Sequence, residues 1–300
     1  MAVGEVFEIT SGGCTNIHCL DIGLYETPNY GAVYIIDAER PSVIDTGTGA
    51  NYELLCDALS TVGIPVDNLE VIALTHVHLD HAGGAGLLAA DCLNAEVYVH
   101  STGARHLVDP SQLVAGTKQI IGDLWTFHRT PEPIPEDRIR SLEDRDVIDL
   151  GDRELQTVAV PGHAPHQVAF YEPTSDALFT ADAAGMWLPD PGLLTVTTPP
   201  PNFDFDEWLV SHDRIREVDA ETFLYPHFGP RDAGDTIDEH ERILKEWVCE
   251  IAEMRETLDD DEDVIEHFLK GSELREAFGD PAGSIPTRFC VQGVMRYLDS

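Results

Sequence analysis

The run Thr75-His76-Val77-His78-Leu79-Asp80-His81 constrains this chain more than any other stretch. It follows an apolar segment, Leu69–Leu74, that reads as a buried strand, and it precedes Gly83-Gly84. Three imidazoles and one carboxylate on a tight strand-to-helix turn point into one small volume. Imidazole suits zinc and iron, and a carboxylate offsets the charge of the ion. A His-x-His pair alone is weak evidence for a metal. His-x-His-x-Asp-His after a strand is strong evidence, because four donors then share one turn.

The rest of the chain alternates between two rhythms. Strands are expected at Val6–Ile9, Ile17–Ile22, Ala32–Ile36 and Ser42–Ile44. The Gly-rich stretch Asp45-Thr46-Gly47-Thr48-Gly49 leads into Asn51–Val62, where Leu54, Leu55, Leu59 and Val62 recur at helical spacing. A helix over Gly83–Leu93 and a strand over Glu96–His100 come next. Residues 103–135 read as a largely helical insertion ending in the Pro-rich run Pro131–Pro135. Strands resume at Val147–Leu150, Leu155–Val160, Val168–Tyr171 and Ala177–Thr180. A Pro-rich loop spans Trp187–Pro201, and a helix over Phe205–Val218 precedes a last strand at Thr222–Tyr225. Two rounds of strands with helices suit two packed sheets covered by helices, an α/β architecture. The expected domain is 1–235, followed by a helical C-terminal extension over 236–300 in which Ile243, Trp247, Ile251 and Met254 form an apolar stripe.

Charge narrows the class of partner. Lys plus Arg number 18 and Asp plus Glu number 55, a net charge of −37. The acids are dispersed, which makes a solvated, self-repelling surface rather than an interaction tail. Such repulsion is tolerable in molar salt, where the Debye length is about 3 Å. Low Lys with high Asp and Glu resembles proteins of salt-in halophilic archaea. Nucleic-acid binding needs Lys and Arg to neutralise phosphates, and the only lysines are Lys118, Lys245 and Lys270. A small-molecule substrate is therefore expected over nucleic acid. No apolar run reaches the roughly 18 residues that span a bilayer, and the start MAVGEVFEIT has no signal-peptide pattern. The expectation is a cytoplasmic protein without a membrane partner. Its six cysteines lack a C-x-x-C pair and read as free thiols.

Beyond the opening run, the chain resembles the metallo-β-lactamase superfamily over roughly residues 6–230. Asp45 in Val43-Ile44-Asp45-Thr46-Gly47, His163 in Val160-Pro161-Gly162-His163, Asp182 in Leu178-Phe179-Thr180-Ala181-Asp182 and His227 in Tyr225-Pro226-His227-Phe228-Gly229 match the family's later elements in order. The resemblance implies a four-layer αββα sandwich and two divalent metal ions, zinc first, with iron or manganese as alternatives. It implies that His76, His78 and His163 hold one ion and that Asp80, His81 and His227 hold the other. Asp182 would bridge both, and Asp45 would orient ligands from behind. The activity implied is hydrolysis by a metal-bridging hydroxide, with Asp80 and Asp182 as the catalytic carboxylates.

The motif leaves the substrate open. A thioester or lactone is the leading expectation. The alternatives are a phosphodiesterase or nuclease drawing on Arg105, Arg129, Arg138 and Arg140, a mononuclear-iron sulfur dioxygenase-like enzyme, and a non-catalytic binding protein. His166 is a candidate support for the ligands or a substrate contact. Trp125, Phe127 and Trp187 are candidate substrate contacts. The C-terminal helices are expected to mediate a homodimer, cover the site or dock a partner. His18, His100, His106, His128, His212, His240 and His267 carry no motif and read as ordinary surface or core histidines.

Overall fold

A computed structural model describes residues 1–300. The first sheet has seven strands in chain order: β1 (Val6–Glu8), β2 (Ile17–Asp21), β3 (Ala32–Ile36), β4 (Ser42–Ile44), β5 (Val71–Ala73), β6 (Glu96–His100) and β7 (Ile139–Leu142). Strands β1 to β4 pair antiparallel, and β4 to β7 pair parallel. Parallel pairs need crossovers. These are α1 (Tyr52–Val62) between β4 and β5, then α2 (Leu79–Ala82) and α3 (Ala85–Asp91) before β6. The helices α4 (Ser101–Val108) and α5 (Ser111–Ile121) precede β7.

The second sheet takes β8 (Val147–Asp149), β9 (Glu154–Ala159), β10 (Val168–Glu172) and β11 (Ala177–Phe179). A separate hairpin, β12 (Met186–Leu188) and β13 (Leu193–Thr195), follows. Helix α6 (Phe205–Val218) then leads to β14 (Thr222–Tyr225) and β15 (Gly229–Asp232), giving the order β15-β14-β11-β10-β9-β8. The chain closes with α7 (Thr236–Thr257), α8 (Asp261–Lys270), α9 (Glu273–Phe278) and α10 (Ser284–Leu298).

The layering follows from alternation along each strand. Side chains two apart share a face. Ile17, Cys19, Tyr34 and Ile36 point between the sheets and meet Leu155, Phe170, Phe179 and Leu224. Leu20, Val33 and Ile35 point the other way, onto Leu55, Leu59 and Leu88 of α1 and α3. On the second sheet Ala169, Leu178 and Phe223 face Ile215 of α6 and Ile237 of α7. Strands β3, β4, β5, β11 and β14 are buried on both faces, which accounts for their near-continuous apolar sequences. The result is the expected four-layer αββα sandwich.

Four strands depart from the sequence reading. Strand β7 follows Pro135 and carries Arg140 on an edge, so its residues lack an apolar pattern. The hairpin β12–β13 lies inside the stretch expected as a loop. Strand β15 reads Gly-Pro-Arg-Asp and pairs only with β14, an edge position where a proline is tolerated. In α7 the fully buried row is Leu244, Val248 and Ile251, with Ile243, Trp247 and Met254 flanking it half-buried. No helix is long and apolar enough to cross a membrane.

Beneath α6 and α7 lies a buried pair, His212 Nε2 at 2.9 Å from His240 Nδ1. The outer nitrogens, His212 Nδ1 and His240 Nε2, have no hydrogen-bond partner. Burial pushes the His212 imidazolium down to about 4 and that of His240 well below its ordinary value. The unfolded chain takes up protons near pH 6.5 that the fold refuses. Stability is thus fully present above pH 6.5 and declines toward pH 4, by roughly 3 kcal/mol for His212 alone. Urea denaturation from pH 7 to 4.5 should show that slope, and His240→Gln should flatten it. An unchanged slope would assign the acid sensitivity to other groups.

Candidate metal centre

Each candidate ligand sits just past the end of a strand. Asp45 follows β4, and His76 to His81 follow β5 into α2. His163 follows β9, Asp182 follows β11 in a short turn over Ala181–Ala184, and His227 follows β14. The loop after β4 straps α2 in place: Thr46 donates from both N (2.7 Å) and Oγ1 (2.8 Å) to the His81 carbonyl. A glycine is required beside His163. Gly162 has φ +121°, and a Cβ there would lie 2.5 Å from the Trp208 Cα. Asp45 (φ +61°) and Ala181 (φ +49°), the residue before Asp182, hold left-handed backbone without being glycine. Such conformations persist where surrounding structure imposes them, and they cluster at functional sites.

The donor atoms converge. His78 Nδ1 lies 3.0 Å from His76 Nε2 and 2.9 Å from His163 Nε2. Asp80 Oδ2 lies 3.6 Å from His81 Nε2 and 3.7 Å from His227 Nε2. Asp182 joins the two groups. Its Oδ2 is 3.0 Å from His163, 3.5 Å from His81 and 3.8 Å from His76, and its Oδ1 is 3.5 Å from His227.

The hydrogen bonds behind these atoms fix which nitrogen faces inward. His163 Nδ1 donates to the Thr197 carbonyl (2.8 Å), and His227 Nδ1 donates to the Tyr30 carbonyl (2.9 Å). His81 Nδ1 donates to Asp45 Oδ2 (2.9 Å). Thr75 Oγ1 donates to Asp45 (2.8 Å) and accepts from His76 Nδ1 (3.1 Å). Asp45 also accepts from the Thr75 amide (2.8 Å). With these Nδ1 protons assigned by the network, the Nε2 lone pairs of His76, His81, His163 and His227 face the centre.

This donor set fits divalent cations. His78 Nδ1 stands about 3 Å from both His76 Nε2 and His163 Nε2, and a single Nδ1 proton could be given to only one of them. A tetrahedral ion with bonds of about 2.0–2.1 Å spaces its ligands by roughly 3.3 Å. Asp182 Oδ1 and His81 Nε2 are buried without a hydrogen-bond partner, as expected of atoms facing an ion. Electrostatics agree. Burial, with the neighbouring imidazoles, holds His76 and His78 well below the ordinary histidine range, and burial lowers His163 also. These rings are neutral and free to ligate. Burial opposes ionisation of Asp182, but His163, His81 and His227 hold its carboxyl far below the carboxylate range. Burial likewise opposes a charged His81, and Asp80 and Asp182 outweigh it and raise its pKa well above the ordinary value. The second group therefore demands positive charge.

A cavity lies over this cluster. His78, Asp80, His163, Asp182 and His227 form part of its lining. The insertion supplies Ile120, Ile121 and His128, and the C-terminal helices supply Leu274, Pro286 and Phe289. Those helices cover the site, as one of the three expectations for them had it. His128, read as ordinary, stands in the lining. Trp125, Phe127 and Trp187 do not line it. Trp125 stacks behind His128 with ring centres 5.5 Å apart, Phe127 packs on Tyr25, and Trp187 lies under the Arg231 guanidinium. His166 stacks against the back of His76, with ring centres 6.2 Å apart, and does not line the cavity either. Tyr25 and Tyr30 went unnoticed in the sequence. Only their place before the first parallel strands, far along the chain from the histidines, could have flagged them.

Asp45→Ala is expected to lower metal affinity or activity by about 10–100-fold, because it frees His81 and Thr75 together. Metal titration of the variant against the wild type measures this, and equal affinities would remove Asp45 from the ligand support.

Comparison with known proteins agrees with this geometry. Residues 27–227 match the model of the metallo-beta-lactamase superfamily. The chain is 27% identical over 224 residues to the metallo-beta-lactamase fold-containing protein ST1585 of Sulfurisphaera tokodaii, covering 72% of this chain and 79% of that one. The crystal structure of ST1585 superposes with a TM-score of 0.70 at 24% identity, over 96% of this chain and 100% of that one. The chain is also 30% identical over 178 residues to acyl-coenzyme A thioesterase MBLAC2 of Gallus gallus, covering 53% of this chain and 59% of that relative, so it spans about six-tenths of that protein's length. The family match covers well over half the chain and contains every residue of the convergent cluster: this protein belongs to the metallo-beta-lactamase superfamily of metallo-hydrolases.

Proposed function

We propose that the protein is a binuclear metal-dependent hydrolase of a small ester-like substrate, a thioester or a lactone. The observation that carries this reading is the cavity lining: the residues over the metal centre include no Lys or Arg, and half of them are hydrophobic. Pockets for small molecules are mostly apolar with a few convergent polar groups. Similarity to an acyl-coenzyme A thioesterase supports the thioester within that class. A phosphate-bearing leaving group would have to project past the cavity mouth.

In this reading His76, His78 and His163 hold one ion, Asp80, His81 and His227 hold the other, and Asp182 spans them. When bound, divalent ions there supply Lewis acidity, polarising a carbonyl and lowering the pKa of water toward neutrality. The chain's own residues do the rest. Asp45, Thr75, Thr197 and the Tyr30 carbonyl fix the imidazole tautomers before substrate arrives. Asp80 is the one carboxylate of the cluster with appreciable exposure, 26% of its side chain. It lines the cavity, so it is placed to orient water or to pass a proton to the departing oxygen or sulfur. The apolar walls exclude bulk water from the reacting carbonyl.

The phosphodiesterase reading loses its cations. Arg138 is bonded to the Cys92 and Ala95 carbonyls, Arg140 pairs with Glu96, and Arg105 reaches His106. None of these, nor Arg129, lines the cavity. The test is turnover of thioesters, lactones and a bis-aryl phosphodiester by zinc-, iron- or manganese-loaded protein in molar KCl. The expected result is ester-class turnover at least a hundredfold above phosphodiester turnover. Preference for the phosphodiester, or no ester-class turnover with any metal, would sink the reading.

A further inference from the structure

The cavity over the metal centre backs onto a second groove, and the two share three residues: Val196, Leu274 and Cys290. All three are buried. Tyr25, Ile120, His128, Pro200 and Phe289 are only partly buried and stand at the cavity mouth. Met186, Val196, Leu274 and Cys290 are buried and form its closed end. Beyond that end the groove runs between the β12–β13 hairpin and helices α7 to α9, over Leu193, Leu194, Ile243, Trp247 and Phe268. The cavity is thus separated by one layer of side chains from a groove of mixed character, whose apolar stretch is bordered by Glu239, Glu246, Glu250 and Glu273.

The three wall residues are not equivalent. Cys290 is tied to the 196–198 segment: Thr198 Oγ1 donates to its carbonyl at 2.9 Å, and the Thr198 amide donates to its sulfur at 3.4 Å. Val196 lies on that same segment. Leu274 belongs to an apolar cluster with Leu24, Tyr30, Met186, Leu188 and Ala282. It stands on α9, a six-residue helix held at its start by Ser272, whose side chain accepts from the Arg275 amide. Leu274 is the one wall residue that stands apart from this bonded pairing of the 196–198 segment with Cys290, and shortening its side chain breaks no hydrogen bond.

We propose that Leu274 sets the maximum length of the substrate's acyl arm, by closing the cavity where the apolar path into the groove would otherwise continue. The inference rests on the ester-hydrolase reading for its substrate, but the wall itself is a binding feature. Each methylene buried in the cavity improves binding by about fourfold. Once the chain reaches Leu274, further methylenes gain nothing or clash.

The experiment uses metal-loaded full-length protein and two readouts. One is kcat/KM along a series of straight-chain acyl thioesters, from two to twelve carbons. The other is the thermal shift produced by straight-chain alkyl hydroxamates of the same lengths, which needs no turnover. Wild type should show an abrupt cutoff in both series. Leu274→Ala should move the cutoff to longer chains, with at least a tenfold gain for the first lengths that wild type rejects. Leu274→Met, similar in volume, should keep the wild-type cutoff. Gly271 lines the groove, and a Cβ there meets nothing within 4 Å, so adding Gly271→Phe to Leu274→Ala should restore a shorter limit. If Leu274→Ala folds poorly, Leu274→Val should give a smaller shift in the same direction. A folded Leu274→Ala or Leu274→Val protein with an unmoved hydroxamate cutoff overturns the proposal. Absence of thioester turnover with a moved hydroxamate cutoff would instead count against the hydrolase reading and leave the wall in place.

Discussion

Asp182→Asn is expected to remove one metal ion per chain and to lower kcat/KM by at least about a thousandfold, given that a correctly held ion takes the pKa of water from about 15.7 toward 7. The reasoning is geometric. No other carboxylate of the cluster reaches four of the histidines: Oδ2 is turned to His76, His81 and His163, and Oδ1 to His227. Those rings hold the carboxyl far below its usual range, so it carries full negative charge at neutral pH. Asparagine keeps the shape, deletes the charge and aims an NH2 group at nitrogens that present lone pairs. Asp80→Asn should do less. Asp80 reaches only His81 and His227, so the trio of His76, His78 and His163 should retain its ion. Metal content by elemental analysis, read beside kcat/KM, separates the two variants. Two ions per chain in Asp182→Asn, with activity within tenfold of wild type, would show that Asp182 does not span the site.

Much of the candidate site was legible because its residues stand at strand ends, in positions that match the family's order. His76 to His81 lie in one turn, and Asp45, His163, Asp182 and His227 each follow a strand whose apolar run is easy to read. Two packed sheets covered by helices were legible because the central strands are buried on both faces and read as apolar runs. The edge strands β7 and β15 and the hairpin β12–β13 were not. An edge strand needs pairing on one side only, so Arg140 or Pro230 is tolerated and no alternation is enforced. The cavity walls were the least legible. Tyr25, His128, Leu274 and Phe289 come from four distant segments, and nothing in their local spacing records that they meet. Leu274 sits on a helix whose sequence, Glu-Leu-Arg-Glu-Ala-Phe, reads as an ordinary amphipathic turn. Its place at the end of the cavity exists only after α9 folds back over the first sheet's loops.

Chelation should destabilise the protein as well as silence it. An ion that binds only the folded state adds about 4 kcal/mol of stability when present at a thousand times its Kd. For a domain of this size that corresponds to a Tm difference on the order of 10 °C per ion. The stripped site explains why the folded state should suffer locally. His78 Nδ1 faces the Nε2 lone pairs of His76 and His163 across about 3 Å and can donate a proton to only one of them. Asp182 Oδ1 and His81 Nε2 are left buried with no partner, and each such group costs about 1–3 kcal/mol. Partial relief comes from a proton on His81, which Asp80 and Asp182 draw to it, but one proton cannot replace a divalent charge. The loss should therefore centre on the Thr75–His81 turn and the loops bearing His163 and His227. Hydrogen exchange of the stripped protein should quicken there first, and the strands between the sheets should stay protected. Restoring zinc, iron or manganese in turn should recover Tm and activity together, and the ion that recovers both most fully is the one the site is built to hold. A Tm unmoved by complete metal removal would mean that the cluster carries no resident ion, and the functional reading would fall with it.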